Sequence, residues 1–255
     1  MIHLLHNPLE KEITMTSKST QPTIVLVHGA FEDASIWNRV IQRLHRDSYP
    51  VVAFANPLLG VSVDAAYLRS AIDRIQGPII LVAHSYGGAV ITEAGGDEKV
   101  KSLVYAGSIL PAAGEAPAQL IERFPGSSFP TSTDVIPYTR PDGTSGKYVL
   151  YQADKFHSQV AADVPASEAA MLLATQRHMD FACLTEKLTS AAWTTKPTWQ
   201  ILTTQDLAIP LAEQKFEADR AQSTVIEINA SHAVTVSNPD AVADVIEQAA
   251  RAAAK

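Results

Sequence analysis

The sequence contains a single cysteine, Cys183, among its 255 residues. One cysteine excludes an internal disulfide and a cysteine-rich zinc site. Basic residues are also scarce, because 20 Lys and Arg stand against 27 Asp and Glu and leave a formal net charge of −7. Proteins that bind nucleic acid usually carry a basic stripe, so nucleic acid is not expected as a partner.

Long apolar runs are missing as well. No segment reaches the roughly 18 uninterrupted apolar residues that a membrane-spanning helix needs, so no membrane partner is expected. Residues 1–22 carry polar and charged residues where a secretory signal would have its apolar run, and we interpret them as a flexible N-terminal arm. These features favour a cytoplasmic protein.

The sequence does have many apolar residues, 46% of the total, which excludes a disordered chain. Six short and nearly all-apolar runs are typical of strands buried on both faces of a parallel sheet, at 23–27, 51–55, 79–82, 102–106, 199–203 and 224–228. Amphipathic helix patterns lie between them, at 34–45, 63–76, 210–222 and 239–254, the last with Asn238 as its predicted cap. The alternation predicts an α/β protein with a compact, mostly parallel six-stranded sheet and helices on both faces.

About ninety residues between the fourth and fifth predicted strands interrupt this alternation. They begin with Pro- and Ser-rich sequence and continue with a predicted hairpin around the turn PDGTSG. We interpret residues 111–196 as an inserted cap on a core made of 23–110 and 197–255. Some large apolar residues of the cap should line a ligand pocket, and most should form its own core. These residues are Phe124, Phe129, Tyr138, Tyr148, Tyr151, Phe156, Met171, Met179, Phe181 and Trp193.

The third predicted strand leads into Ala83-His84-Ser85-Tyr86-Gly87, a close match to the G-x-S-x-G pattern with Ala83 in place of the first glycine. In such an elbow a strand turns sharply into a helix with the serine at the apex. The residues two before and two after the serine must be small to avoid neighbouring backbone. The pattern therefore predicts Ser85 as a nucleophile. The alternative is a chance turn without a catalytic function.

In this arrangement an acid and a histidine follow the serine along the chain, each just after a strand. Asp206 follows the fifth predicted strand and His232 follows the sixth, so they are predicted to complete a triad with Ser85. Asp206 could instead cap the next helix, and His232 could be an ordinary loop histidine. Of the other histidines near the motif, His28 is expected to order loops, and His84 to point away from the Ser85 hydroxyl.

An oxyanion hole needs two backbone N–H groups directed at the developing negative oxygen. Tyr86, the residue after the predicted nucleophile, is expected to supply one of them. Ala30, in the loop after the first strand, is expected to supply the other, with Phe31 as the alternative. Gly29 permits the backbone conformation that this requires. If the loop after the first strand supplies no oxyanion donor, it is simply a turn.

The segments VLVHGA and AHSYGGA, with the acid and the histidine after the last strands, resemble the α/β-hydrolase superfamily over residues 23–254. Within it, VLVHGAFEDASIW resembles the loop of the small plant methylesterase and hydroxynitrile lyase branch and its bacterial esterase relatives. A tryptophan of that branch matches Trp37. The resemblance implies a serine esterase of the α/β-hydrolase fold that needs no metal and no cofactor. Phe31 and Trp37 become candidates for the substrate pocket.

Two other reactions of the superfamily are disfavoured by single residues. The lyases rely on a lysine after the histidine and a threonine in the first loop, where this chain has Ala233 and either Ala30 or one of its neighbours. Members that open epoxides or remove halides use an aspartate at the elbow, which Ser85 excludes.

The sequence thus favours a carboxylesterase-type serine hydrolase that cleaves the ester of a small, neutral and largely apolar substrate through an acyl-enzyme. The alternatives are a cofactor-independent lyase or oxygenase on the same fold, a perhydrolase side activity and, less favoured, a ligand receptor without turnover. The expected partner is a small-molecule ester, and a homodimer is left open.

Overall fold

The computed structural model describes residues 21–254, so the predicted arm at 1–22 lies almost entirely outside the described residues. The strands of this part of the chain are β1 (Thr23–Val27), β2 (Val51–Phe54), β3 (Ile79–Ser85), β4 (Val100–Ser108), β5 (Thr133–Thr139), β6 (Ser145–Tyr151), β7 (Met179–Asp180), β8 (Thr198–Thr203) and β9 (Thr224–Ile228). The α-helices are α1 (Asn38–Arg46), α2 (Val61–Arg74), α3 (Gly87–Ala94), α4 (Pro117–Ile121), α5 (Phe129–Ser132), α6 (Ala153–Val160), α7 (Ala166–Ala174), α8 (Ala182–Thr185), α9 (Leu211–Ala221), α10 (Val234–Ser237) and α11 (Pro239–Ala253). Within residues 21–254, no helix is both long and apolar enough to cross a membrane.

The larger sheet has six strands in the order β2-β1-β3-β4-β8-β9, and each neighbouring pair is parallel. The chain first steps from β1 outwards to β2 and then returns to build the other half from β3. The carboxyl ends of β1 and β3 therefore adjoin at a switch point, where open α/β sheets form ligand crevices. The predicted fold class is confirmed.

The central strands β1, β3 and β4 are buried along almost their whole length. The helices α3 and α11 both pack against β3 and β4. Strands covered in this way lose contact with water on both faces, which explains why their sequences are continuous apolar runs rather than alternating ones.

The predicted elements are present, with differences at their ends. β3 continues to Ser85 and β4 to Ser108, because the pairing between these strands extends beyond their apolar runs. The helix predicted from residue 34 begins as a 3₁₀ turn, Ala34–Trp37, before α1. Asn238 occupies the predicted N-cap position of α11, but its side chain makes no capping hydrogen bond to this helix. Its side-chain amide donates to Ser237 Oγ at 2.9 Å instead.

Residues 109–197, the inserted segment, connect β4 to β8 and contain a second sheet. This sheet is antiparallel in the order β5-β6-β7, and the pairing of β5 with β6 confirms the predicted hairpin. Two carboxylates attach the segment to the core: the buried Glu93 of α3 accepts from the Thr189 N–H at 2.8 Å, and the partly exposed Glu186 accepts from the Ser62 N–H at 3.0 Å. The division into a core and a cap at 111–196 stays a prediction.

Candidate active site

Ser85 is the last residue of β3 and lies at a sharp turn before α3. Its backbone φ is 53°, in the left-handed region, which costs a non-glycine residue on the order of 1–3 kcal/mol. Small neighbours make the turn possible: Ala83 is fully buried, and a Cβ on Gly87 would lie only 2.7 Å from the Val27 carbonyl oxygen. The strand–turn–helix geometry that the sequence pattern predicts is therefore present, with Ser85 at its apex.

The side chains of Ser85, His232 and Asp206 form a hydrogen-bonded chain. His232 Nδ1 lies 2.8 Å from Asp206 Oδ2, and His232 Nε2 lies 2.9 Å from Ser85 Oγ. A carboxylate can only accept, so Nδ1 carries the proton and donates to Asp206. Nε2 of the neutral ring is then an acceptor, and the Ser85 hydroxyl donates to it. In this arrangement the imidazole can take the serine proton.

Asp206 is surrounded by donors that favour its ionised form. The backbone N–H groups of Ala208 and Ile209 donate to Oδ1 at 2.8 and 2.9 Å, and the Thr203 hydroxyl donates to Oδ2 at 2.8 Å. Burial alone would raise the pKa of Asp206, but His232 and these donors lower it below its usual value. The backbone contacts correspond to the alternative in which Asp206 caps the following turn, so one side chain makes both sets of contacts.

The two predicted oxyanion donors, Ala30 and Tyr86, line the same cavity as Ser85. Neither backbone N–H donates to another group within residues 21–254. Phe31, the alternative donor, has a φ of 64°, and its carbonyl oxygen accepts from the Arg177 N–H at 2.9 Å. The loop after β1 thus turns at Phe31, next to the elbow, and Ala30 and Tyr86 stay the predicted donors, with Phe31 as the alternative to Ala30.

The cavity beside Ser85 has an empty volume of about 570 Å³ and a mostly apolar lining. Four of the large residues named above as cap residues line it: Phe129, Tyr151, Phe156 and Met179. The core contributes Phe31, whose ring packs edge-on against Tyr151 with 5.0 Å between centroids. No Lys or Arg side chain belongs to the described lining. Residues 21–254 contain no group of three or more His, Cys, Asp or Glu side chains that could hold a metal ion.

Comparison with known proteins agrees with this geometry. The sequence matches the model of the alpha/beta hydrolase family over residues 24–245. The chain belongs to the alpha/beta hydrolase family.

This hydrolase is 26% identical over 252 residues to the alpha/beta hydrolase nvfD of Aspergillus novofumigatus, which covers 90% of this chain and 97% of the relative. Its structure is similar to that of polyneuridine aldehyde esterase, with a TM-score of 0.78, 18% identity and coverage of 89% of this chain and 98% of that chain. It is also similar to the methylesterase MES16 from Arabidopsis, with a TM-score of 0.74, 16% identity and coverage of 89% and 98%. The resemblance to the small plant esterase branch is confirmed at the level of the fold.

The two residues expected in the substrate pocket of this hydrolase lie in different places. Phe31 lines the cavity next to Ser85. Trp37 is fully buried in the hydrophobic core, and it does not belong to the lining of the cavity. It ends the 3₁₀ turn whose buried residues, Ile36 and Trp37, face the interior. The structure therefore brings only one of the two to the site.

Sequence reasoning missed Glu32, which lines the cavity of the hydrolase. Its Oε2 atom accepts from the Gly29 N–H at 3.0 Å and lies 2.9 Å from His84 Nδ1. The other ring nitrogen of His84 lies 2.8 Å from the carbonyl oxygen of His232. His84 thus points away from the Ser85 hydroxyl, as predicted. The sequence signal that could have identified Glu32 was a carboxylate three residues after Gly29, in a loop already expected at the site.

His28 orders the loop after β1, as the sequence suggested. The Asn56 N–H donates to His28 Nε2 at 3.0 Å, so the proton is on Nδ1, which donates to the Gly29 carbonyl oxygen at 2.9 Å. Burial lowers the pKa of His28, which keeps the ring neutral.

Proposed function

We propose that this hydrolase is a serine esterase that cleaves a carboxylic ester through an acyl-enzyme. The observation that carries the proposal is the hydrogen-bonded chain from Asp206 through His232 to Ser85, which ends at the wall of an apolar cavity. A hydroxyl that donates to a neutral, correctly oriented imidazole can be activated as a nucleophile.

In the proposed acylation, Ser85 Oγ attacks the ester carbonyl carbon while its proton passes to His232 Nε2. The negative oxygen of the tetrahedral intermediate accepts hydrogen bonds from the Ala30 and Tyr86 N–H groups, each worth about 10²–10³ in rate. The carbon–oxygen bond to the alcohol then breaks as His232 gives the proton to the departing oxygen. The acyl group remains on Ser85.

Deacylation repeats these steps with water as the nucleophile. Water gives a proton to His232 Nε2 as its oxygen attacks the acyl carbon. The bond to Ser85 Oγ breaks as that oxygen regains the proton, and the acid is released. Asp206 stays ionised throughout and stabilises His232 while the ring is charged.

The decisive experiment replaces Ser85 by alanine. Ser85→Ala is expected to lower kcat on a p-nitrophenyl ester by roughly 10⁶-fold, because the acyl-enzyme cannot form. Thermal melting should show that the variant is folded. Ser70→Ala, which changes an exposed serine of α2, is the matched control and should turn over like the wild type. Retained activity in Ser85→Ala would exclude the proposed mechanism.

Covalent labelling separates the esterase from a lyase or oxygenase on the same fold. A fluorophosphonate probe reacts only with an activated serine, so it should label the wild type but not Ser85→Ala. A lyase or oxygenase that uses the His232–Asp206 pair for proton transfer would not need this reactivity. A receptor without turnover would show no burst of p-nitrophenol. Perhydrolysis would use the same acyl-enzyme, with peroxide in place of water.

We further propose that the substrate is small, neutral and largely apolar. The support is the apolar lining, the lack of Lys and Arg among the described lining residues, and the Glu32 carboxylate beside Ser85. An anionic acyl group would have no cation to pair with. p-Nitrophenyl butyrate is therefore expected to give a higher kcat/KM than mono-p-nitrophenyl succinate, which has the same leaving group. A preference for the succinate would overturn this part of the proposal.

A further inference from the structure

The imidazole directly before Ser85 has an acceptor at each of its nitrogens. His84 Nδ1 lies 2.9 Å from the Glu32 carboxylate, and His84 Nε2 lies 2.8 Å from the His232 carbonyl oxygen. The His232 carbonyl oxygen can only accept, so Nε2 carries a proton. Burial would raise the pKa of Glu32, but His84 and the other nearby imidazoles lower it below its usual value, and an ionised carboxylate can only accept, so Nδ1 carries a proton as well. A neutral imidazole has one N–H group, so this arrangement corresponds to the doubly protonated, charged ring.

Glu32 connects this charged ring to the loop that follows β1. The same Oε2 atom that meets His84 also accepts from the Gly29 N–H at 3.0 Å. Gly29 itself packs against the elbow, since a Cβ there would lie 2.7 Å from Ser85 Cβ. One carboxylate thus holds the loop that carries Ala30 at the elbow.

We propose that Glu32 and His84 form a carboxylate–imidazolium pair that positions His232 and the Ala30 loop for the reaction of Ser85. Glu32 and His84 are positioning residues, since they act through His232 and the loop rather than on the ester. The inference rests on the proposed esterase function for its kinetic consequences, but the charge of His84 can be measured without any substrate.

The charges around the pair explain why Glu32 is needed. His84 is fully buried, and the groups facing it are Glu32 from the first loop, Asp206 after β8 and His232 after β9. His28, at the end of β1, faces Glu32. Burial alone would lower the pKa of His84, but the Glu32 carboxylate and the two hydrogen bonds raise it above its usual value.

The two imidazoles are also close to each other, with 4.7 Å between the centroids of His84 and His232. When His232 takes the proton of Ser85, two cations lie side by side. Asp206 neutralises one and Glu32 neutralises the other. Without the Glu32 charge, His84 either repels the charged His232 or loses a proton, and loss of a proton leaves one of its two acceptors without a donor.

The substrate-free test is nitrogen-15 NMR of the histidine side chains. In the wild type, His84 should show two protonated ring nitrogens at about pH 8, identified by their loss in His84→Gln. Glu32→Gln keeps the shape of the side chain and removes its charge, so one of the two signals should disappear. A wild-type His84 with a single protonated nitrogen at this pH would overturn the proposal.

The kinetic test uses the same Glu32→Gln variant on a neutral p-nitrophenyl ester. We expect kcat to fall roughly 10-fold to 100-fold, the loss typical when an outer partner of a metal-binding histidine is removed, with little change in KM. The ratio of the variant kcat to the wild-type kcat should also fall as the pH rises from about 6 to about 9, because His84 loses its proton in the variant and keeps it in the wild type. The double variant Glu32→Gln/His84→Gln should be no slower than the slower single variant, because each substitution alone already disrupts the same carboxylate–imidazolium pair.

Asp33→Asn is the matched control, since Asp33 is the neighbouring carboxylate and, among residues 21–254, its side chain forms hydrogen bonds only with Ser35. It should keep the wild-type kcat and both His84 signals. A Glu32→Gln variant with the wild-type kcat and pH profile would overturn the proposal. If no ester were turned over even by the wild type, the esterase function would fail, while the NMR signals would still decide whether the pair is charged.

Discussion

Asp206 performs two tasks with the two oxygens of one carboxylate. Oδ1 accepts from the N–H groups of Ala208 and Ile209 and holds the loop after β8. Oδ2 faces His232 Nδ1 and sets which ring nitrogen carries the proton. A substitution can therefore remove the charge of Asp206 while it keeps the hydrogen bonds that hold the loop after β8.

Asp206→Asn is expected to lower kcat by about 10⁴-fold while the protein stays folded. The amide oxygen can still accept the two backbone N–H groups, but the amide nitrogen would then face His232 Nδ1. That contact forces the proton onto Nε2, which can no longer accept from Ser85. Gln205→Asn, at the exposed neighbouring position, should turn over the ester like the wild type. An Asp206→Asn enzyme within about tenfold of the wild type would show that Asp206 has another function.

At the scale of the secondary structure elements, α3 packs tightly against the end of β4 next to the elbow. A Cβ on Gly88 would overlap the Ile109 carbonyl oxygen and Ser108 Oγ. Ser108 Oγ donates to the Ser85 carbonyl oxygen at 2.6 Å, so the start of the helix, the end of β4 and the turn fit together without spare space. Gly88 is therefore needed for packing rather than for a special backbone angle.

Gly88→Ala is expected to destabilise the protein by about 1–3 kcal/mol, because the added methyl group forces α3 away from β4. The free energy of unfolding in urea measures this change. Gly96→Ala is the matched control, since a Cβ at Gly96 meets no atom within 4 Å. Equal stability of the two variants would mean that α3 can shift without cost.

For the whole molecule, a partly buried charge cluster joins the inserted segment to α9. Arg123 donates to Glu213 of α9 at 3.2 Å and to Glu115 at 2.5 Å. The Glu213 side chain is fully buried, whereas a quarter of Glu115 is exposed. Burial raises the pKa of Glu213 to about 7, although Arg123 and Arg220 oppose the change.

Glu213→Gln is expected to stabilise the protein in alkaline solution and to leave it nearly unchanged at about pH 4.5. A carboxyl group with a raised pKa in the folded state takes up protons on folding, so stability falls as the pH rises between 4.5 and about 7. One pKa unit corresponds to about 1.4 kcal/mol, so the gain at about pH 8 reaches at most about 3.5 kcal/mol. Urea unfolding at the two pH values measures it.

Glu115→Gln tests the sign of this effect within the same cluster. Burial would raise the pKa of Glu115, but the Ala112 N–H and Arg220 lower it below its usual value. Removal of this charge should therefore destabilise the protein at about pH 8. If both variants changed the stability in the same direction, the difference in burial between Glu213 and Glu115 would not explain their behaviour.

The main strands were predictable because each is a short apolar run, although only the inner strands are buried almost throughout, and the edge strands β2 and β9 keep several exposed residues. β1 and β9 have the predicted bounds, whereas β3 and β4 extend into polar residues such as Ser85 and Ser108. Pairing between neighbouring strands sets those ends, and the local sequence pattern carries no information about that pairing. Asn238 also shows that a local pattern does not fix side-chain contacts, since its amide donates to the Ser237 hydroxyl and makes no hydrogen bond to the helix end that it precedes.

Ser85, His232 and Asp206 could be selected from the sequence because each lies at or just after the end of a strand of a parallel sheet, and such strand ends meet at one edge. Their hydrogen bonds, the burial of Trp37 and the contact of Glu32 with His84 depend on side chains that approach across 26 to 147 positions of the chain. Local apolar patterns and strand–helix alternation were enough to establish the fold class and the edge of the sheet where the site lies. The packing of loops from different strands was needed to show which polar groups pair there, because a buried charge is stable only next to a partner that the distant parts of the chain supply.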